Sequence, residues 1–213
     1  MSQQISAIDR LRTLPEFFHG RELAPRFQWT SKEVSQYLYL WKRRGLVQGL
    51  GGHSDVYANM MRYDNPHWEK AVKMSMPSAV LIGIDILRGA GWTTQIQRCP
   101  SIAVQKGAST YKVEHFTVEQ RPESWYAKVR NEQGLVQDTV EPNYLFLPML
   151  RPAWALADML CYEGWGGCGL HPDDLYDDEM TARDEDDWQA ACAAFNLSAP
   201  FRKPLVELVE PSR

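Results

Sequence analysis

Between Ser31 and Arg43 the chain carries Ser31, Lys32, Ser35, Gln36, Tyr39 and Arg43 at positions that share one side of a helix. Hydroxyls and amides of that reach hydrogen-bond to base edges, and cations of that reach neutralise phosphates. Lys42 and Arg44 flank Arg43, His53 follows in a glycine-rich stretch, and Arg21 stands a few residues upstream. The spacing predicts groove contacts from Ser31, Lys32, Ser35, Gln36 and Tyr39. It predicts backbone-phosphate contacts from Lys42, Arg43, Arg44, His53 and Arg21, with Arg10, Arg12 and Arg26 as further cations near the same strand of sequence. The partner this chemistry fits is double-stranded DNA. A basic last turn also suits the helix dipole with no nucleic acid present, so a module of the same shape that only contacts protein is the plain alternative.

Those side chains need a helix and something beside it. Thr30 followed three residues later by Glu33 is a capping box. Val34, Tyr37, Leu38 and Trp41 then fall at helical spacing and give an apolar stripe opposite the polar face. Gly45 after Lys42-Arg43-Arg44 ends the helix. Leu46-Val47 and Val56-Tyr57-Ala58, around Gly49 to Ser54, read as a hairpin. Upstream, Ile5, Ile8, Leu11 and Leu14 predict a helix stopping at Pro15, and Gly20 to Ala24 a short second helix. Two helices and a hairpin around a polar third helix make a winged helix-turn-helix. Met60 to Asn65 reads as a connector, which places a DNA-binding domain at 1–62 and a mixed α/β domain with a small sheet and packed helices at 63–213. The expected class is therefore α+β.

In the second part, His67 to Met74 reads as a helix, and Val80, Leu81, Ile84 and Leu87 repeat at helical spacing before Gly89 and Gly91. Thr93 to Gln97, Ile102 to Gln105, Tyr111 to Glu119 and Trp125 to Arg130 are rich in β-branched and aromatic residues and are predicted strands. Tyr144 to Leu147 reads as one more strand or a packed lead-in. Pro152 starts a helix with Ala155, Leu156, Met159 and Leu160 on one face, and Asp158 reads as a polar anchor. Asp173 to Glu179 and Asp184 to Asp187 flank or sit within a last pair of helices, with Trp188, Ala191, Cys192 and Phe195 buried and the tail from Ala199 extended.

Eight tryptophans and 44% apolar residues predict a well-filled core. The net charge of −4 hides an asymmetry. Residues 1–62 hold nine Lys/Arg against five Asp/Glu, and 151–213 hold five against thirteen, so phosphate affinity belongs to the first third. No apolar run would span a bilayer and MSQQISAIDR lacks signal-peptide character, so no membrane and a cytoplasmic protein are expected. Cys99, Cys161, Cys168 and Cys192 form no CxxC pair, and Cys161, Cys168 and His171 lack a zinc spacing and a fourth ligand. No metal and no cofactor are expected.

Four segments, FFHGRELAPRFQWTSKEVSQYLYLWKRRGLVQGL with GGHSDVYAN, PSAVLIGIDILRGAGW, TQIQRCPSIAV and LRPAWALADMLCYEG, follow an order that resembles the AbiEi-type antitoxins of type IV toxin–antitoxin (abortive infection) systems. Those proteins join an N-terminal winged helix to a C-terminal mixed α/β antitoxin domain. The resemblance implies a transcriptional regulator that represses its own operon and counteracts a nucleotidyltransferase-like toxin. It assigns no residue to toxin counteraction and leaves the oligomeric state open. Asp55 in the hairpin departs from the pattern, since an outward carboxylate there would repel phosphate.

An enzyme is the competing class. Glu114, Glu119, Lys128 and the Asp173–Asp174 pair are the types that hold a divalent ion in a nuclease, but no HExxH, phosphate-cradling glycine loop or G-x-S-x-G elbow occurs. No catalytic residue is therefore assigned. A third reading is a standalone or ligand-sensing winged-helix regulator without a toxin, its second domain enclosing a pocket.

Overall fold

Helix caps and apolar spacing account for most of the elements in the computed structural model, which describes residues 6–108, 112–132, 134–136, 146–176, 178 and 180–197. The class is mixed α+β, and the chain divides into two units. Among the described residues no helix is long and apolar enough to cross a membrane.

The first unit contains described residues 6–77 and 112–115. Its elements are α1 (Ala7–Arg12), β1 (Phe17–His19), a 3-10 turn (Gly20–Glu22), α2 (Leu23–Phe27), α3 (Ser31–Arg43), β2 (Val47–Gly49), β3 (Val56–Asn59) and α4 (Trp68–Ser75). The Thr30 hydroxyl accepts from the Glu33 amide, and the Glu33 carboxylate accepts from the Thr30 amide at 2.8 Å. The predicted capping box is thus formed. The strands make an antiparallel sheet in the order β1-β3-β2, with Phe18 opposite Tyr57 and Gln48 opposite Ala58. Leu11, Leu14, Phe18, Leu23, Leu38, Trp41 and Val47 form the core. Buried Asn59 locks sheet to helix: its amide donates to the carbonyls of Leu11 and Leu14, both at 3.0 Å. The returning segment 112–115 adds His115, whose ring stacks on Trp68 at 4.0 Å between centroids. Lys112 passes so close to Gly51 that a Cβ on the glycine would lie 2.7 Å from the lysine carbonyl oxygen.

The second unit holds β4 (Val80–Ile82), α5 (Ile84–Gly89), β5 (Ser101–Gln105), β6 (Thr117–Arg121), α6 (Glu123–Asn131), β7 (Leu135–Val136), β8 (Met149–Leu150), α7 (Pro152–Tyr162), α8 (Gly164–Gly167) and α9 (Ala182–Phe195). Its five-stranded sheet runs β6-β5-β4-β8-β7 and mixes parallel and antiparallel pairs. Helix α7 is buried from Ala153 through Leu160, so it is the centre of the core, and it packs against α5 and α9. A helix apolar on all sides belongs there. Its one buried charge, Asp158, accepts from Arg121 Nε (3.0 Å), Arg121 Nη2 (2.8 Å) and Trp125 Nε1 (2.7 Å).

Several predicted elements differ. The run Val80 to Leu87 is not one helix: strand β4 ends at Ile82, and Gly83, with a φ of +86°, separates it from α5. Trp125 to Arg130 is helical within α6, because Pro122 opens a first turn and Trp125, Tyr126 and Val129 then bury one face. Thr93 to Gln97 is not a strand; Tyr111 lies outside the described residues, and of Lys112 to Glu119 only the end from Thr117 is a strand. Strand β1 has no counterpart among the expected elements. Near the acidic run, Pro172–Asp174 is a 3-10 turn and α9 starts on a capping box of its own, Thr181 with Asp184. Ile5, Tyr144 and Leu145, and the tail from Ala199 lie outside the described residues.

Candidate nucleic-acid interface

Helix α3 buries Leu38 and Trp41 and presents the opposite side to solvent. Ser31, Lys32, Ser35, Gln36, Tyr39, Lys42, Arg43 and Arg44 are all exposed, Tyr39 to 63%. At about 100° per residue the face from Ser31 to Arg43 covers roughly 140° of the helix. Aromatic contacts stiffen its back: Trp29 stacks on Tyr37 at 4.4 Å, and the Arg10 guanidinium lies 5.2 Å from the Trp29 ring. Ser35 donates its hydroxyl to the Ser31 carbonyl at 3.0 Å, which leaves its oxygen free to accept.

The cations differ in their freedom. Among the described residues Lys32, Arg43 and Arg44 meet no carboxylate within salt-bridge distance. Lys42 instead sits over the Tyr57 ring at 4.6 Å and so bridges the helix to the hairpin. His53 is exposed at the tip of the β2–β3 turn, and Arg21 is exposed in the 3-10 turn. All ten predicted contact residues therefore belong to the first unit, eight on or next to α3 and two on neighbouring turns.

Two further residues shape this surface. Asp55 does not project as a bare carboxylate: it accepts from the Arg21 amide at 3.0 Å, and its own carbonyl accepts from the Gly20 amide at 2.9 Å. That contact binds the hairpin to the 3-10 turn and occupies the charge expected to repel phosphate. Tyr57 supplies the platform for Lys42; burial, and then the nearby Asp55 charge, raise its hydroxyl above the ordinary tyrosine value. The sequence carried no signal for either role, since each rests on pairing between β3 and segments far upstream.

The residues considered for metal chemistry are dispersed. Glu114 belongs to the first unit, whereas Glu119 pairs with Arg121 at 2.6 Å in the second. Lys128 donates to the Ala194 carbonyl at 2.5 Å, and Asp173 is exposed beside His171 at 3.2 Å. Cys168 donates to the Trp165 carbonyl, while Cys161 is exposed. Among the described residues no three His, Cys, Asp or Glu side chains are placed to share a metal ion.

No family model matches the chain, and no curated protein is similar to it. Among solved structures, the chain is similar to the RV2827C protein from Mycobacterium tuberculosis. That likeness has 14% identity and a TM-score of 0.49 over 87% of this chain and 73% of that one. A likeness of that size bears on neither family nor activity.

Proposed function

We propose that the first unit is a winged helix-turn-helix that binds double-stranded DNA, with α3 in the major groove and the β2–β3 hairpin as its wing. The carrying observation is the exposed α3 face, on which Lys32, Arg43 and Arg44 stand free of carboxylate partners next to Ser31, Ser35, Gln36 and Tyr39. The element order α1-β1-α2-α3-β2-β3 supports the same reading, as does the inward turn of Asp55.

The physiological role follows from the resemblance to AbiEi-type antitoxins. The protein is a non-enzymatic, cytoplasmic transcriptional regulator that represses its own operon and counteracts a nucleotidyltransferase-like toxin encoded beside it. A gel-shift titration tests the first part, using the DNA upstream of the protein's own gene and a scrambled duplex of equal length. The upstream fragment is expected to bind at least about tenfold tighter, because each well-placed base contact contributes about 1–3 kcal/mol of discrimination. Equal binding to the two duplexes removes the role of operator-reading repressor, and no binding to either at low salt removes the DNA reading altogether. Co-expression with the product of the adjoining gene tests the second part: growth inhibition relieved by this protein is expected, and inhibition left unrelieved refutes it.

A further inference from the structure

In the second unit a cleft of about 340 Å³ opens where strands β4 and β5 and the start of β6 meet the end of α7. We propose that this cleft binds a small organic cation, a guanidinium- or alkylammonium-bearing molecule. The site stands independently of the DNA-binding reading, because every lining residue belongs to the second unit.

The lining carries more acidic than basic side chains. Glu119, Asp158 and Glu163 contribute three carboxylates. Arg121, behind the wall and 4% exposed, serves the first two: Nη2 reaches Glu119 at 2.6 Å and Asp158 at 2.8 Å. Its guanidinium also lies 3.9 Å from the centre of the Tyr162 ring, so one face and all three nitrogens are already engaged. Glu163 makes no ion pair among the described residues. With the lining Arg98 included, three negative charges face two positive ones, and a monovalent cation closes that difference. Partial desolvation, and then repulsion from Glu119, already push the Glu163 carboxyl above its ordinary value, a burden that an entering cation relieves.

A neutral group points to the same ligand chemistry. Among the described residues the side-chain oxygen of Gln97 is buried with no hydrogen-bond donor, and Ser101, 6% exposed, also lines the cleft. Buried polar groups are normally satisfied, so the Gln97 oxygen marks a place where a donor belongs. Gly83 keeps the floor open: at its φ of +86° a side chain is disfavoured, and a Cβ there would press to 3.3 Å from Ser101 Cβ. The volume suits a small organic molecule. Since no three lining side chains are arranged to chelate, the charge is carried by a donor-bearing organic group and not by a bare metal ion.

Butylguanidine and its neutral isostere butylurea are the probes, titrated into the full chain by calorimetry and by amide chemical-shift mapping. Butylguanidine is expected to bind saturably with a Kd on the order of 1 mM or tighter. The shifts should centre on Gly83, Gln97, Ser101 and Glu163. Butylurea is expected to bind at least about fivefold more weakly, as loss of a charge-assisted hydrogen bond requires. Glu163→Gln, at an exposed position that holds no structural bond, should weaken butylguanidine by a similar factor, and Ser101→Ala by about twofold. The proposal is overturned by absence of saturation, by shifts centred elsewhere, by equal affinity for the two probes, or by a Glu163→Gln protein that binds as wild type.

Discussion

Replacing Asp158 with alanine removes the counter-charge of a guanidinium buried in the second unit. The carboxylate is 0% exposed and accepts three hydrogen bonds, two from Arg121 and one from Trp125 at 2.7 Å. After the substitution Arg121 keeps Glu119 at 2.6 Å on Nη2, but Nε and the indole N–H of Trp125 lose their acceptor. Breaking a buried pair from one side costs about 3–5 kcal/mol, and the surviving Glu119 contact sets the loss near about 3 kcal/mol. An unpaired buried indole N–H adds about 1 kcal/mol, for a total of about 4 kcal/mol. In a domain of this size that lowers Tm by about 10–15 °C. Urea denaturation followed by tryptophan fluorescence measures it directly, since Trp125, Trp154 and Trp188 all lie in this core. The double variant Arg121→Met plus Asp158→Leu removes both charges and should return to within about 2 kcal/mol of wild type. A single variant that loses less than about 1 kcal/mol, or a double variant no better than the single, refutes the assignment of this pair as the electrostatic centre of the unit.

Three further outcomes are expected. Arg43→Ala with Arg44→Ala removes two of the four permanent cations assigned to phosphates (Arg21, Lys42, Arg43 and Arg44). The slope of log K against log salt should fall from about −3.6 to about −1.8, and tripling the salt should then weaken binding about sevenfold instead of about fiftyfold; anisotropy titrations at two salt concentrations decide it, and an unchanged slope contradicts the proposed docking face. Glu16 is held down to about 2 from an ordinary 4.5, because hydrogen bonds from Lys70 (2.7 Å) and His67 outweigh the burial that opposes ionisation. A depressed carboxylate stabilises fully above its unfolded value, so Glu16→Gln should cost about 1–2 kcal/mol at pH 7 and progressively less between pH 4.5 and 2, as urea midpoints across that range will reveal. Gly20→Ala brings a methyl to 2.5 Å from an Asp55 carboxylate oxygen and 3.0 Å from Tyr57; it should displace Asp55 from the Arg21 amide and cost about 1–3 kcal/mol, with thermal denaturation as the check.

The parts of this molecule legible in the sequence are those fixed by near neighbours. The α3 cap is set by residues three apart, and its two faces follow from the helical period alone. The β2–β3 hairpin is equally local, and Asp158 reads as a polar anchor because a lone acid interrupts an apolar helix. Strand β1 was not legible, since Phe17-Phe18-His19 owes its conformation to β3 about forty residues away. The reading of Trp125 to Arg130 failed for a different reason: its aromatic and β-branched residues favour a strand in isolation, and burial against α7 and α9 overrode them. At Val80 the spacing fits a helix, but a glycine in the left-handed region divides strand from helix. The second-unit cleft gave no signal because Gly83, Gln97, Ser101, Glu119 and Glu163 come from four separate stretches of chain.

The return of residues 112–115 to the first unit has a consequence for biosynthesis. A ribosome that has just released residue 77 has made both sides of the sheet and every residue of α3, yet the ring that covers Trp68 is still to come. At about 5–20 residues per second the missing piece arrives roughly 2–8 s later. During that interval the nascent first unit exposes an indole that the finished protein covers, so its completion waits on synthesis of the first strands of its neighbour.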